Sequence, residues 1–262
     1  MAALPLTKFL QHGRPADASR VVVCAGDSTT QGKASGDWVG LLHDELGPRG
    51  YAVVNAGVSG ALSCTLLREL DGVIAARPDV VTVMIGTNDV MATTSEQWRA
   101  SYQRQQPPET PTLESYRRWL DEIVRRLTTE TEARVALLEV PPISEQVDSV
   151  FNQRVDSFND VVRDVAARHE VAVLPVNARL KELIAASSAA PPFDGTARDV
   201  KSALLQHFLL RRGWDRIAAR AGRVALTDNI HLTDRAAGEI AALVRKFVDA
   251  GPGPEPTTTV GP

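Results

Sequence analysis

Three valine-rich runs in this sequence each end in residues able to do chemistry. The run at 21–25 leads into Gly26-Asp27-Ser28-Thr29-Thr30-Gln31-Gly32, which sets a serine hydroxyl directly after an apolar stretch. The run at 52–55 leads into Asn55-Ala56-Gly57-Val58-Ser59-Gly60, whose glycines let a backbone N–H approach a ligand with no Cβ in the way. The run at 80–85 leads into Gly86-Thr87-Asn88-Asp89, which supplies a neutral side-chain amide donor. Far along the chain, Asp228-Asn229-Ile230-His231 places a carboxylate three residues before an imidazole. That spacing allows an aspartate–histidine hydrogen bond within one turn. Such a bond holds the proton on Nδ1 and leaves Nε2 free to take the proton of a serine. Each segment taken singly is also ordinary turn composition, and the weight lies in their occurring together.

The elements that must position these groups follow from hydrophobic patterning. The three runs, with two later ones at 135–140 and 171–176, read as buried parallel strands bounded by glycine or polar turn residues. Amphipathic segments fall between them, as crossover helices must between parallel strands. The expected fold is α/β, a three-layer α/β/α sandwich around a central five-stranded parallel sheet. In open sheets of this kind ligands bind beyond the carboxyl ends of the strands, where the serine, glycine and asparagine segments all fall. Leu113, Tyr116, Leu120, Ile123, Val124 and Leu127 recur at helical steps behind Thr112, a candidate N-cap, so a helix is expected over 113–127. A second is expected at about 150–169, with Val150, Phe151, Val155, Phe158, Val161, Val162 and Val165 along one stripe, and a last one after Thr233 that ends before Gly251. Pro141 and Pro142 stop the fourth strand and shape another loop on the active edge. The polar segment 91–111 has no clear period and reads equally as a pocket wall or a surface loop.

The expectation is one domain over 1–250, with an inserted helical segment at about 184–225 and a disordered tail at 251–262 rich in glycine, proline and threonine. The inserted segment carries Arg198, Arg211, Arg212, Arg216, Arg220 and Arg223 among Leu204, Leu205, Phe208, Leu209, Trp214 and Ile217. It reads as a packed amphipathic helical pair or as a cap over the pocket. A net charge of -3 gives no broad basic field, which disfavours nucleic acid and anionic membrane and favours small or neutral substrates. Cys24 and Cys64 form no disulfide framework, no segment has the apolar length to span a bilayer, and the first residues lack the pattern of a secretory signal. A cytoplasmic protein is expected on those grounds. No cofactor and no metal is expected, since neither zinc-ligand spacing nor a phosphate-binding glycine loop occurs. His12, His43, His169 and His207 have no aspartate placed as Asp228 is and read as structural or solvated.

The set and order of these blocks resemble the SGNH/GDSL hydrolase superfamily. Gly26-Asp27-Ser28 with Gly32 looks like its first block, Gly57-Val58-Ser59-Gly60 its second, Gly86-Thr87-Asn88-Asp89 its third, and Asp228 with His231 its last. The resemblance implies a flavodoxin-like sheet and a serine hydrolase acting on a small-molecule ester: a lipid, an acetylated sugar or another acyl ester. It also implies roles: Ser28 as nucleophile, His231 as base and then acid, and Asp228 as its orienting partner. The oxyanion donors it implies are the N–H groups of Ser28 and Gly60 and the amide of Asn88. Gly57 lies in the same block and is the other glycine able to donate. An acyltransferase using the same groups, or a binding module that keeps only the fold, are the rival expectations.

Overall fold

The computed structural model describes residues 3–187 and 190–251. Most of the expected 251–262 tail, all but Gly251, lies outside the described residues.

The chain starts with β1 (Leu4–Pro5) and α1 (Leu6–His12), then β2 (Arg20–Gly26), α2 (Ser28–Gln31), α3 (Trp38–Leu46) and β3 (Tyr51–Gly57). It continues through α4 (Ser63–Ala75), β4 (Val80–Met84), α5 (Thr87–Ala92), α6 (Glu96–Ser101), α7 (Leu113–Glu130) and β5 (Arg134–Leu138). The last elements are α8 (Val150–Arg168), β6 (Ala172–Leu174), α9 (Val176–Ala185), α10 (Arg198–Phe208), α11 (Trp214–Arg220) and α12 (Asp234–Asp249).

The strands form one parallel sheet in the order β1-β3-β2-β4-β5-β6. Among the described residues it has six strands, where the sequence led us to expect five. The sixth is β1, two residues that pair with Val54 and Asn55 at the sheet edge, too short to carry any alternation and ending in a proline that only an edge tolerates. The run at 171–176 gives only the short β6, because Val176 already opens α9.

Alternation along the strands builds two cores. Val21, Val23 and Ala25 of β2 face a cluster with α1, α4, α7 and α8, whereas Val22 and Cys24 face a second cluster with α3, α9 and α12. That period of two is the geometry of a strand covered on both faces. Trp38, fully buried under the second layer, is the type of side chain whose truncation to alanine costs about 3–5 kcal/mol.

The helix α7 starts where expected and runs three residues beyond 127. Thr112 caps it and Ser115 returns the bond, a reciprocal pair that satisfies two of the free N–H groups at its start. The apolar stripes are correct in their interiors and wrong at their first residues. Leu113 is 38% exposed and Val150 65%, each the first residue of its helix.

The sheet order places the site. From β2 the chain moves to β3 on one side and to β4 on the other, and Gly26 stands level with both Gly57 and Met84. The loops after β2, β3 and β4 therefore leave a common edge at the point where strand order reverses, and a crevice opens at such a point.

Candidate active site

Ser28 is the first residue of α2, a single turn. Asp27 caps that turn by accepting the Thr29 N–H at 2.9 Å and the Thr29 hydroxyl at 2.8 Å. The cap fixes the backbone on which Ser28 stands and keeps the Asp27 carboxylate fully buried. Burial raises the Asp27 pKa above the ordinary carboxylate value, against the lowering effect of the Thr29 bonds and of His231.

The Oγ of Ser28 lies 3.2 Å from Nε2 of His231, and Nδ1 of His231 lies 2.8 Å from Oδ2 of Asp228. The other oxygen of Asp228 accepts the backbone N–H groups of Ile230 and His231 at 3.0 and 2.8 Å. Burial alone would raise the Asp228 carboxyl, but the charge of His231 and these hydrogen bonds outweigh it and hold the group below its usual range. For His231 burial works to lower the pKa, and the Asp228 charge and hydrogen bond, helped by Asp27, carry it above the ordinary histidine value. The three groups form a hydrogen-bonded line across 203 residues of sequence.

Two glycine N–H groups lie at and just beyond the end of β3. The N–H of Gly57 is committed to Oδ1 of Asn55 at 2.9 Å, whereas that of Gly60 meets no protein acceptor among the described residues. Gly60 has φ +73°, a conformation side-chain-bearing residues rarely adopt, so glycine is required for the turn that presents this N–H. Asn88, in the first turn of α5, donates from Nδ2 to the carbonyl of Ala61 at 2.8 Å, which seats its amide beside Gly60. Its Oδ1 accepts the Tyr102 hydroxyl at 2.8 Å. The structure thus places Ser28, Asp228 and His231 in one line and holds the Asn88 amide on the carbonyl of Ala61, the residue after Gly60.

A family model, the GDSL-like lipase/acylhydrolase family, matches residues 24–238, a span running from β2 through the histidine into α12. The chain belongs to this family of ester hydrolases. A comparison with curated protein sequences finds no match.

Solved structures similar to this GDSL-family chain include a lipase/acylhydrolase from Enterococcus faecalis, with TM-score 0.59 and 19% identity over 90% of this chain and 99% of that one. A catalytic mutant of Axe2, an acetylxylan esterase from Geobacillus stearothermophilus, has TM-score 0.65 and 17% identity over 88% of this chain and 94% of its own. LAE5, an alpha/beta hydrolase enzyme from the metagenome of Lake Arreo in Spain, has TM-score 0.62 and 21% identity over 90% and 98%. At these identities the likeness is one of fold.

Several residues without a role in the sequence reading support the GDSL site. Asp89 accepts the backbone N–H of Ser63 at 3.0 Å and its hydroxyl at 2.6 Å, so it caps α4, whose own N-cap residue, Leu62, cannot. Burial pushes the Asp89 carboxyl up to about 7, with the nearby Asp27 adding to the rise. Glu145, in the loop opened by Pro141 and Pro142, accepts the N–H groups of Val224, Ala225 and Leu226, the stretch that leads into Asp228. Ser144 donates its N–H to the carbonyl of Asn229 at 2.9 Å, between the two members of the Asp-His pair. The sequence signals for that loop are Pro141 and Pro142 and its place after the fourth strand; nothing in composition marks Ser144 or Glu145.

The inserted segment folds as α10 and α11, closed on Ala203, Trp214 and Ile217, with His207 stacked on Trp214 at 3.7 Å. Asp199 of α10 ties it to the site: its Oδ2 accepts from Asn229 at 3.0 Å and from the buried guanidinium of Arg223. A cavity of about 520 Å³ lies elsewhere, lined by Leu4, His43, Tyr51 and neighbours near the amino ends of the strands, and holds none of the site residues. Among the described residues no group of three or more histidine, cysteine, aspartate or glutamate side chains is placed to hold a metal ion. No helix there is long and apolar enough to cross a membrane.

Proposed function

We propose that this chain is a serine esterase that cleaves a carboxylic ester through an acyl-enzyme on Ser28, working as one catalytic domain over 1–250 that carries the inserted helices. The observation that carries the reading is the line Asp228–His231–Ser28, with 2.8 and 3.2 Å between successive partners. In the first step Oγ of Ser28 attacks the carbonyl carbon while Nε2 of His231 takes the hydroxyl proton. The electron pair of the carbonyl moves to its oxygen, where the N–H groups of Ser28 and Gly60 and the amide of Asn88 receive it. Collapse of the tetrahedral intermediate expels the alcohol, which leaves with the proton from His231. Water then attacks the acyl-enzyme, His231 takes a proton from it, and collapse releases the acid and restores the serine hydroxyl. Asp228 holds the imidazole in the required tautomer and stabilises its cation.

Catalytic mutants of the acetylxylan esterase Axe2 replace a serine, an aspartate or a histidine, the aspartate lying three positions before the histidine. Asp228 and His231 have the same spacing. We therefore take a small acyl ester, acetylated sugars included, as the substrate class. A cytoplasmic setting is consistent with Cys24 and Cys64, both free and buried, the thiol of Cys24 pushed up to about 12 by burial.

The test is a hydrolysis screen of p-nitrophenyl esters of increasing acyl length beside acetylated xylo-oligosaccharides, with the Ser28→Ala protein as blank. The reading predicts turnover by the parent protein and none by the variant. Equal turnover by both would end it.

A further inference from the structure

We propose that Tyr102 is a positioning residue for ester cleavage, its hydroxyl fixing the Asn88 carboxamide so that nitrogen and not oxygen faces the reacting carbonyl. The inference rests on the esterase reading above and adds the residue that orients one of its donors.

A carboxamide has two faces of opposite use. Its nitrogen donates and stabilises a developing oxyanion, whereas its oxygen, presented at the same place, would repel it. Which end points where is decided by the bonds at the other atoms. In Asn88 one hydrogen of Nδ2 is held by the Ala61 carbonyl at 2.8 Å, and the second remains for a ligand. Oδ1 is held by the Tyr102 hydroxyl, also at 2.8 Å. Rotating the amide by half a turn would set Oδ1 against the Ala61 carbonyl, two acceptors facing each other. It would also turn Nδ2 toward a phenol that now donates to oxygen. With Tyr102 in place, one orientation satisfies every group and the other does not.

Water is a poor substitute for the phenol at this point. Asn88 is 6% exposed and Tyr102 8%, so loss of the hydroxyl leaves Oδ1 buried without a donor. The phenol also keeps its proton. Burial, reinforced by the Asp27 and Asp89 carboxylates, holds it well above the ordinary tyrosine value, so it stays a donor throughout the range in which an esterase works.

Tyr102 is itself held from outside the catalytic motifs. Its ring stacks on Trp98 at 6.1 Å between centroids, and the Trp98 indole N–H donates to the carbonyl of Gly195 in the inserted segment. Arg68 of α4 donates to the carbonyls of Gln105 and Gln106 just beyond it. The segment without a period in the sequence therefore forms a buttress, tied at one end to the insertion and at the other to α4, that ends on the oxyanion donor.

The experiment is a double-mutant cycle on Tyr102 and Asn88, read by steady-state kinetics on a short-chain p-nitrophenyl ester together with thermal melting. Tyr102→Phe keeps the ring and its stack and removes only the oxygen. It is expected to lower kcat about tenfold with KM changed by no more than about twofold, since the bond acts on a group used in the transition state. In the Asn88→Ala background the same substitution is expected to change kcat no further, because nothing remains to be oriented. If the phenylalanine variant fails to fold, Tyr102→Met, smaller, flexible and without a donor, runs the same cycle. An unaltered kcat in Tyr102→Phe overturns the proposal, as does an equal loss in both backgrounds. Ser28→Ala, run in parallel, separates this from the esterase reading: turnover by that variant rejects the reading, whereas its silence beside an unaffected Tyr102→Phe rejects the positioning role alone.

Discussion

Glu145 accepts the backbone N–H of Ala225 at 2.6 Å across 80 residues of sequence. The same carboxylate takes the N–H groups of Val224 and Leu226, so one buried side chain holds the edge of this stretch, which also bridges antiparallel from Leu226 to Leu232. Glu145→Ala leaves three N–H groups without an acceptor and is expected to cost about 2–4 kcal/mol in unfolding by urea. Glu145→Gln, which keeps one acceptor oxygen, is expected to lose less. An alanine variant as stable as the parent would show that the loop before Asp228 is held by other means.

In the proposed mechanism Asn88 acts on the transition state and not on substrate binding. Asn88→Ala is expected to lower kcat on the order of 100- to 1,000-fold with little change in KM. A loss confined to KM would place the amide on the ground-state substrate instead.

The pH profile follows from His231, whose pKa the Asp228 carboxylate raises. In the proposed mechanism the neutral imidazole is the base, so kcat/KM is expected to fall on the acid side with a midpoint above the ordinary histidine value of about 6.5. Asp228→Asn removes the charge that favours the imidazolium and is expected to move that midpoint to lower pH while lowering the rate throughout. The measurement is kcat/KM against pH for both proteins, and a midpoint that stays fixed would mean another group controls the limb.

Asp199 joins the inserted helices to the catalytic loop. Asp199→Ala leaves the buried Arg223 guanidinium without its carboxylate and is expected to lower stability by about 1–3 kcal/mol, less than for a fully buried pair because Asp199 is partly exposed. Asp199→Asn, which still offers an acceptor to Asn229, is expected to fall between alanine and parent in melting temperature. Equal melting of all three would detach the insertion from the site.

The sequence carried the sheet and the groups at its edge for one reason: both are local. A valine-rich run and the serine, glycine or asparagine that follows it sit within a dozen residues, so periodicity finds the strand and its end finds the loop. The edge strand at Leu4 was invisible because two residues have no period. Tyr102 and Glu145 were missed because their contacts, one hydrogen bond to Asn88 and several to the 224–226 backbone, leave no mark on composition or spacing. The family resemblance already pointed to Gly60 rather than Gly57, and the structure adds that Asn55 occupies the Gly57 N–H. The insertion was visible as a change of pattern, but its link to the loop through Asp199 was not.

The most direct measurement of the central claim is mass spectrometry of the protein after reaction with a fluorophosphonate probe. The account predicts one covalent adduct, on the peptide that contains Ser28, its formation slowed when His231 is replaced by alanine and abolished in Ser28→Ala. An adduct on another residue, or none in a folded protein that still hydrolyses esters, would contradict it.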